Sequence, residues 1–211
     1  MYINQKEAYK KMKVDIFNTD KKYNIIYADP PWEYKSRMAL GHGAKKSSAE
    51  DYYETMSIEE LCGLQGVIHD ISADDCVLFM WVTFPKLYDA QYVLSSWGFE
   101  YKTVAFNWVK RNKVFNQSRA DLHGGIDDFM GQGRWTRQNA EICLLCTKGK
   151  PKRMSAKVRQ IIYSPIREHS QKPDETRERI VELCGDLPRI ELFARQSVNG
   201  WDCWGNEAPQ C

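Results

Sequence analysis

Asn24-Ile25-Ile26-Tyr27-Ala28 runs straight into Asp29-Pro30-Pro31-Trp32. A short, apolar, β-branched run that stops at proline reads as a buried strand followed at once by a stiff corner. Further strands are predicted downstream. Cys76-Val77-Leu78-Phe79-Met80-Trp81-Val82 is continuously apolar, as strands covered on both faces of a parallel sheet are. Tyr101 to Val109, Glu141 to Thr147, Val158 to Tyr163 and Arg189 to Phe193 complete the set. Helices are predicted between them. One runs from Ser57 to about His69, with Glu60 closing a capping box. A second runs from Pro85 to Trp97 and is stopped by Gly98. A third runs from Pro173 to Cys184, with proline in its first turn, Asp174 and Glu175 near its start and Gly185 beyond its end. Strands alternating with helices argue for an α/β, doubly wound, mostly parallel sheet. Such sheets bind ligands beyond the carboxyl ends of their strands. Two ends are therefore of interest, those after 24–28 and 189–193.

The chain has 211 residues, 43% hydrophobic and 27% charged. That suits one domain with its own core and excludes disordered, collagen-like and coiled-coil classes. We take 1–211 as a single domain. Its 30 basic and 28 acidic residues leave a net charge of +2, which does not announce a nucleic-acid partner. Seven scattered cysteines are an odd count and no secreted disulfide framework. Reduced thiols in a cytoplasmic protein are the expectation. No apolar run approaches the ~18 residues of a membrane span, and the start Met1-Tyr2-Ile3-Asn4-Gln5 is too polar for a signal peptide. No membrane contact is expected.

The corner carries the chemistry. Proline keeps the residue before it extended, so Asp29 and Pro30 both stay out of the helical region. The corner offers the Asp29 carboxylate and the Pro30 carbonyl, and neither proline has an N–H. A rigid, acceptor-only surface with the Trp32 indole beside it suits an exocyclic amino group on a flat aromatic base. Two acceptors hold both hydrogens and the indole stacks on the ring. Hydrogen bonds that favour a pyramidal nitrogen stabilise the transition state of methyl transfer more than the ground state.

Asp29-Pro30-Pro31-Trp32 resembles the catalytic motif of amino-group methyltransferases. The likeness extends along the chain through Tyr53-Glu54-Thr55-Met56-Ser57, Leu78-Phe79-Met80-Trp81-Val82, Trp108-Val109-Lys110, Gly133-Arg134-Trp135, Lys148-Gly149-Lys150-Pro151, Lys172-Pro173-Asp174-Glu175, Ile190-Glu191-Leu192-Phe193-Ala194-Arg195 and Gly205-Asn206. In that order, over about residues 14 to 207, these resemble the N6-adenine methyltransferases named for the seventy-kilodalton subunit of the mRNA adenosine methylation complex. The resemblance implies a Rossmann-like methyltransferase fold with permuted motif order and S-adenosyl-L-methionine as cofactor. It implies that Asp15 and Ile16 hold the cofactor's adenine, that Arg195, Asn206 and Glu207 hold its ribose, and that Lys172 meets the methionine carboxylate. Asp29 then lies near both the methionine amino group and the target amine, and Tyr53 and Lys110 face the substrate base. DNA is expected as the substrate, from the small size of the chain and the absence of the eukaryotic enzyme's accessory regions. RNA and a non-catalytic binding subunit are the alternatives, and a homodimer or partner subunit stays open.

The chain departs from the family at Glu207, commonly Gln, and at Ser197-Val198, commonly His-Asn. Segments 33–52 and 111–134 are expected as substrate-side loops. The first carries Lys35, Arg37, Lys45 and Lys46 and is either a substrate gate or a surface insert. The second is polar and Gly-rich. Lys148, Lys150, Lys152, Arg153, Lys157 and Arg159 form a basic cluster that either grips phosphates or is solvated. Cys143 and Cys146 have redox spacing, but they lie in an apolar strand and point to opposite faces, so core packing is expected. The four histidines show no metal-ligand spacing, and no metal is expected.

Overall fold

The computed structural model describes residues 14–34, 55–122, 124, 127–131, 135–167 and 171–205. Its seven strands are β1 (Tyr23–Ala28), β2 (Ser72–Val82), β3 (Glu100–Arg111), β4 (Ala140–Lys148), β5 (Ile161–Pro165), β6 (Arg189–Leu192) and β7 (Asp202–Trp204). They form one sheet in the order β5-β3-β4-β2-β1-β6-β7. β1 pairs in parallel with β2 and β6. The pairs β6–β7 and β3–β5 are also parallel. The sheet is thus mostly parallel, as expected, with one reversal: β4 runs antiparallel to both β2 and β3. An apolar run has no direction, so the sequence pattern of Glu141 to Thr147 could not show this.

Helices cover both faces. On one side lie α1 (Ile58–Gly63), α2 (Gln65–Ile71) and α3 (Leu87–Ser96). They bury Leu61, Ile68, Ala90 and Val93 against Ile26, Leu78 and Leu144 of the sheet. On the other side α5 (Glu175–Cys184) buries Ile180 and Cys184 against Ile25, Phe79 and Phe106. Cys143 packs on the α5 side and Cys146 on the opposite side. Burial pushes the Cys146 thiol up to about 12 and that of Cys143 well above its ordinary value. The two cysteines are core residues, as the alternation in the strand implied.

The Ser57–Glu60 capping box forms with both of its hydrogen bonds, 2.8 and 3.2 Å. The predicted helix beyond it is broken at Leu64 and continues to Ile71. Gly98 ends α3 with φ +77°, a conformation that suits glycine. α5 starts two residues later than predicted. Pro173 lies ahead of it, and the Pro173 carbonyl accepts from Thr176 N–H. The strand expected from Val158 forms from Ile161. Within 111–134 the chain is not all loop. Arg111 continues β3, and a short helix α4 (Gln117–Leu122) follows. Asp127 holds this part together, accepting from Asn112, Asn116 and Arg119 at 2.6 to 3.0 Å. No described helix is long and apolar enough to cross a membrane.

Candidate active site

β1 is the point at which the sheet changes direction. The chain leaves β1 for β2 on one side and returns later to β6 on the other. The crevice beyond the carboxyl ends of β1 and β6 is therefore a topological switch point. Asp29 stands there, one residue past β1.

Side chains alternate along strands. Tyr27 of β1, Trp81 of β2, Cys143 of β4 and Trp108 of β3 all point to the α5 face. The same alternation carries Asp29, Glu141 and Lys110 to that face at its upper edge. Because β4 is reversed, its first residues reach this edge. Trp108 and Glu141 are register partners, and Lys110 lies diagonally across from Glu141. Lys172, just ahead of α5, completes the group. Its Nζ lies 2.8 Å from Asp29 Oδ1 and 3.3 Å from Glu141 Oε2. The other oxygen of Glu141 accepts from Lys110 Nζ at 2.5 Å. The result is an alternating row: Asp29, Lys172, Glu141, Lys110. Lys172 is only 8% exposed, so it is not a solvated surface lysine.

The two carboxylates respond differently to one environment. Burial pushes Asp29 up. Lys172 pulls it back, Glu141 adds to the rise, Arg195 opposes it, and the net direction is upward. Burial also pushes Glu141 up, but Lys172 and Lys110 together outweigh it and hold Glu141 below its ordinary value. Burial lowers Lys172, yet the two carboxylates more than reverse this, so it stays charged. Asp29 is the carboxylate poised to take up a proton.

The corner itself is well anchored. Pro30 C=O accepts from Trp32 N–H at 2.9 Å, and Pro31 C=O from Met56 N–H at 2.7 Å. Pro30 keeps a second lone pair for a ligand. Trp32 does not serve as the open stacking surface that the sequence suggested. It is 4% exposed, packs in the core, and donates its Nε1–H to the Trp81 carbonyl at 3.1 Å. A residue at a strand exit gains more by covering the core than by facing water, so the indole fixes the corner from beneath. Asp29, Pro30, Trp32, Glu141 and Lys172 line a pocket of about 40 Å³ together with Tyr34, Trp81, Val82 and Thr83. Tyr34 Oη and Thr83 Oγ1 are hydrogen-bonded at 2.5 Å.

Asp15 and Ile16 lie beyond β7, where Val14 N–H bonds Cys203 C=O at 3.0 Å. They are not beside β1, whose neighbours are β2 and β6. Phe17 and Phe193 both pack edge-on against Trp204, at 6.0 and 5.4 Å, which brings the Asp15 turn to the end of β6. Phe193 there is left-handed, with φ +59°, rare for a residue with a side chain. A Cβ on Gly205 would run into the Ala194 backbone, so only glycine fits that approach. Tyr53, Asn206, Glu207 and nearly all of 33–52 lie outside the described residues. The basic stretch from Lys148 leaves β4 at the edge opposite Asp29, so it does not line this site. Among the described residues no group of three His, Cys, Asp or Glu is placed to hold a metal ion.

The sequence reading missed Glu141, together with Tyr34, Trp81 and Thr83. An acid opening an apolar run looks like ordinary punctuation of a strand. Only the pairing across β3 and β4 shows what it meets.

A family model described as MT-A70 matches residues 23–207. The type II methyltransferase M.MunI of Mycoplasma sp is 38% identical over 90% of this chain and 79% of its own length. The N(6)-adenosine-methyltransferase MT-A70-like protein of Arabidopsis thaliana is 26% identical over 92% of this chain and 24% of its own. The N(6)-adenosine-methyltransferase catalytic subunit METTL3 of Homo sapiens is 28% identical over 88% of this chain and 28% of its own. With Asp29-Pro30-Pro31-Trp32 at the switch point of such a sheet and the match spanning nearly all of it, the chain belongs to the MT-A70 family of methyltransferases.

Proposed function

We propose that the chain methylates the N6 amino group of adenine in DNA, with S-adenosyl-L-methionine as donor. The observation that carries this reading is the Asp29 corner. It puts a carboxylate, held above its ordinary value, next to a proline carbonyl with a spare lone pair, and an ammonium lies against the same carboxylate. The residues also fit the cofactor. Asp29 and Lys172 offer opposite charges to a zwitterionic amino-acid end.

The cofactor, when bound, supplies an electrophilic methyl group on a positively charged sulfur. Asp29 accepts one hydrogen of the target amine and Pro30 C=O the other, which fixes the nitrogen lone pair in one direction. Positioning of this kind supplies much of the rate. Asp29 then takes up the proton that the nitrogen sheds. Lys172 meets the methionine carboxylate, while Arg195, Asn206 and Glu207 hold the ribose and Asp15 and Ile16 the adenine. Tyr53 and Lys110 face the base. The target adenine leaves its stack to reach the corner, since its amino group is otherwise paired. The pocket has room for about one water and is smaller than a purine, so Tyr34 and Thr83 part as the base enters.

The greater identity to a type II methyltransferase, over most of both chains, favours DNA over RNA. Matched DNA and RNA oligonucleotides with radiolabelled donor decide the substrate: methylation confined to RNA overturns the DNA assignment. Asp29→Ala is expected to abolish turnover while the far-ultraviolet spectrum stays unchanged. Methylation at the wild-type rate by that variant would sink the reading.

A further inference from the structure

One buried charge pair on the α5 face takes no part in the steps above. Arg177 of α5 and Glu191 of β6 form a two-pronged pair, Nε and Nη2 each 2.7 Å from one carboxylate oxygen. They are 7% and 6% exposed. A buried pair is weak support for stability, because desolvation consumes most of what the charges gain. Its place in the structure suggests another use.

Two sets of contacts lead from Arg177 to Lys172. The first runs through side chains to the Lys172 main chain. Arg177 Nη1 grips Asp174 Oδ1 at 3.0 Å. Arg167 holds the other oxygen of Asp174 at 2.5 Å and donates to the Lys172 carbonyl at 2.6 Å. The second runs through the rings. The Arg177 guanidinium lies 5.7 Å from the Tyr27 ring, and Tyr27 is the register partner of Glu191. Tyr27 Oη accepts from Trp81 Nε1 at 2.7 Å, and the Trp81 ring lies 5.7 Å from Lys172 Nζ. One set fixes where the Lys172 main chain stands, and the other fixes the aromatic surface against its ammonium.

We propose that Arg177 is a positioning residue for methyl transfer: pinned by Glu191 and Asp174, it sets the place of Lys172 against Asp29 and Glu141. This rests on the reading of Asp29 as the carboxylate that receives the amine. The charged groups acting on Asp29 are Lys172, Glu141, Arg195 and Glu191, while burial keeps Tyr27 and Cys143 neutral beside it. When Lys172 drifts from Asp29, the main influence opposing burial weakens, so Asp29 holds its proton to higher pH.

The double variant Arg177→Met/Glu191→Leu tests this, because it removes both charges and leaves none unpaired. Three quantities are read: the melting temperature, the carboxyl carbon titration of Asp29 by NMR in cofactor-free protein, and the pH profile of kcat/KM. The melting temperature is expected to hold. The Asp29 titration and the acid limb of the profile are expected to move together to higher pH, and kcat to fall about tenfold to a hundredfold. Arg177→Lys, which keeps a charge but loses the fork, is expected to shift both in the same direction by less, and it serves if the double variant does not fold. An unmoved Asp29 titration in these variants overturns the proposal even if activity falls, since that loss is then merely structural. Asp29→Asn separates the two ideas. If it retains full turnover, the Asp29 reading itself fails. If it is inactive while Arg177 variants titrate as wild type, only the positioning role fails.

Discussion

Asp29 and Glu141 share Lys172, yet one is raised and the other lowered, and the difference is a second lysine. The consequence for pH is direct. In the proposed reaction Asp29 accepts the amine hydrogen as the carboxylate, and its ionised fraction falls as pH drops through its raised value. The acid limb of kcat/KM should therefore lie above the ordinary carboxylate range. Glu141→Gln removes a neighbouring negative charge and leaves Lys172 to Asp29 alone. Its acid limb should move to lower pH, which a pH–rate profile of the two proteins would check. Glu141 itself, held low, contributes stability at neutral pH that is lost as pH falls through its folded value. At this scale the sequence was only partly legible. Asp29 announces itself by its prolines, and Lys172 was legible through the family resemblance. Glu141 does not, because its partners are 31 residues away on either side of it in the chain. Trp32 was legible as part of the motif but not as a core residue, since indoles serve both stacking and packing.

Elements were read best where local chemistry decides them. The Ser57 cap is such a case, with a serine and a glutamate bonding each other's backbone three residues apart. Ser57→Ala should cost about 1 kcal/mol in a urea titration, and methylation by the folded protein should be unchanged. The break at Leu64 was not legible, because the apolar spacing continues across it into α2. The end of β6 is decided by long-range fit instead. Gly205 must pass close to Ala194 opposite a left-handed Phe193. Gly205→Ala should force the two segments apart and weaken donor binding by about tenfold, the effect of strain of roughly 1–3 kcal/mol. Calorimetry with the donor would measure it.

Over the whole molecule, alternating strands and helices were enough for the fold class and for the edge on which the site lies. The order of strands in the sheet was not, because register and direction depend on pairings between distant segments. The reversal of β4 matters most. If β4 ran the other way, Lys148 and not Glu141 would reach the catalytic edge. Removing one residue just after Glu141 would move that acid through the sheet to the α3 side and strand Lys172 and Lys110 facing each other. Removing two would restore its facing. Loss of methylation on the first deletion and partial return on the second is therefore the expected pattern, with turnover as the readout. Insertions at the start of this strand should follow the same odd–even rule. A lineage carrying them would keep the reaction only in even steps, so length variation here is confined by facing and not by space.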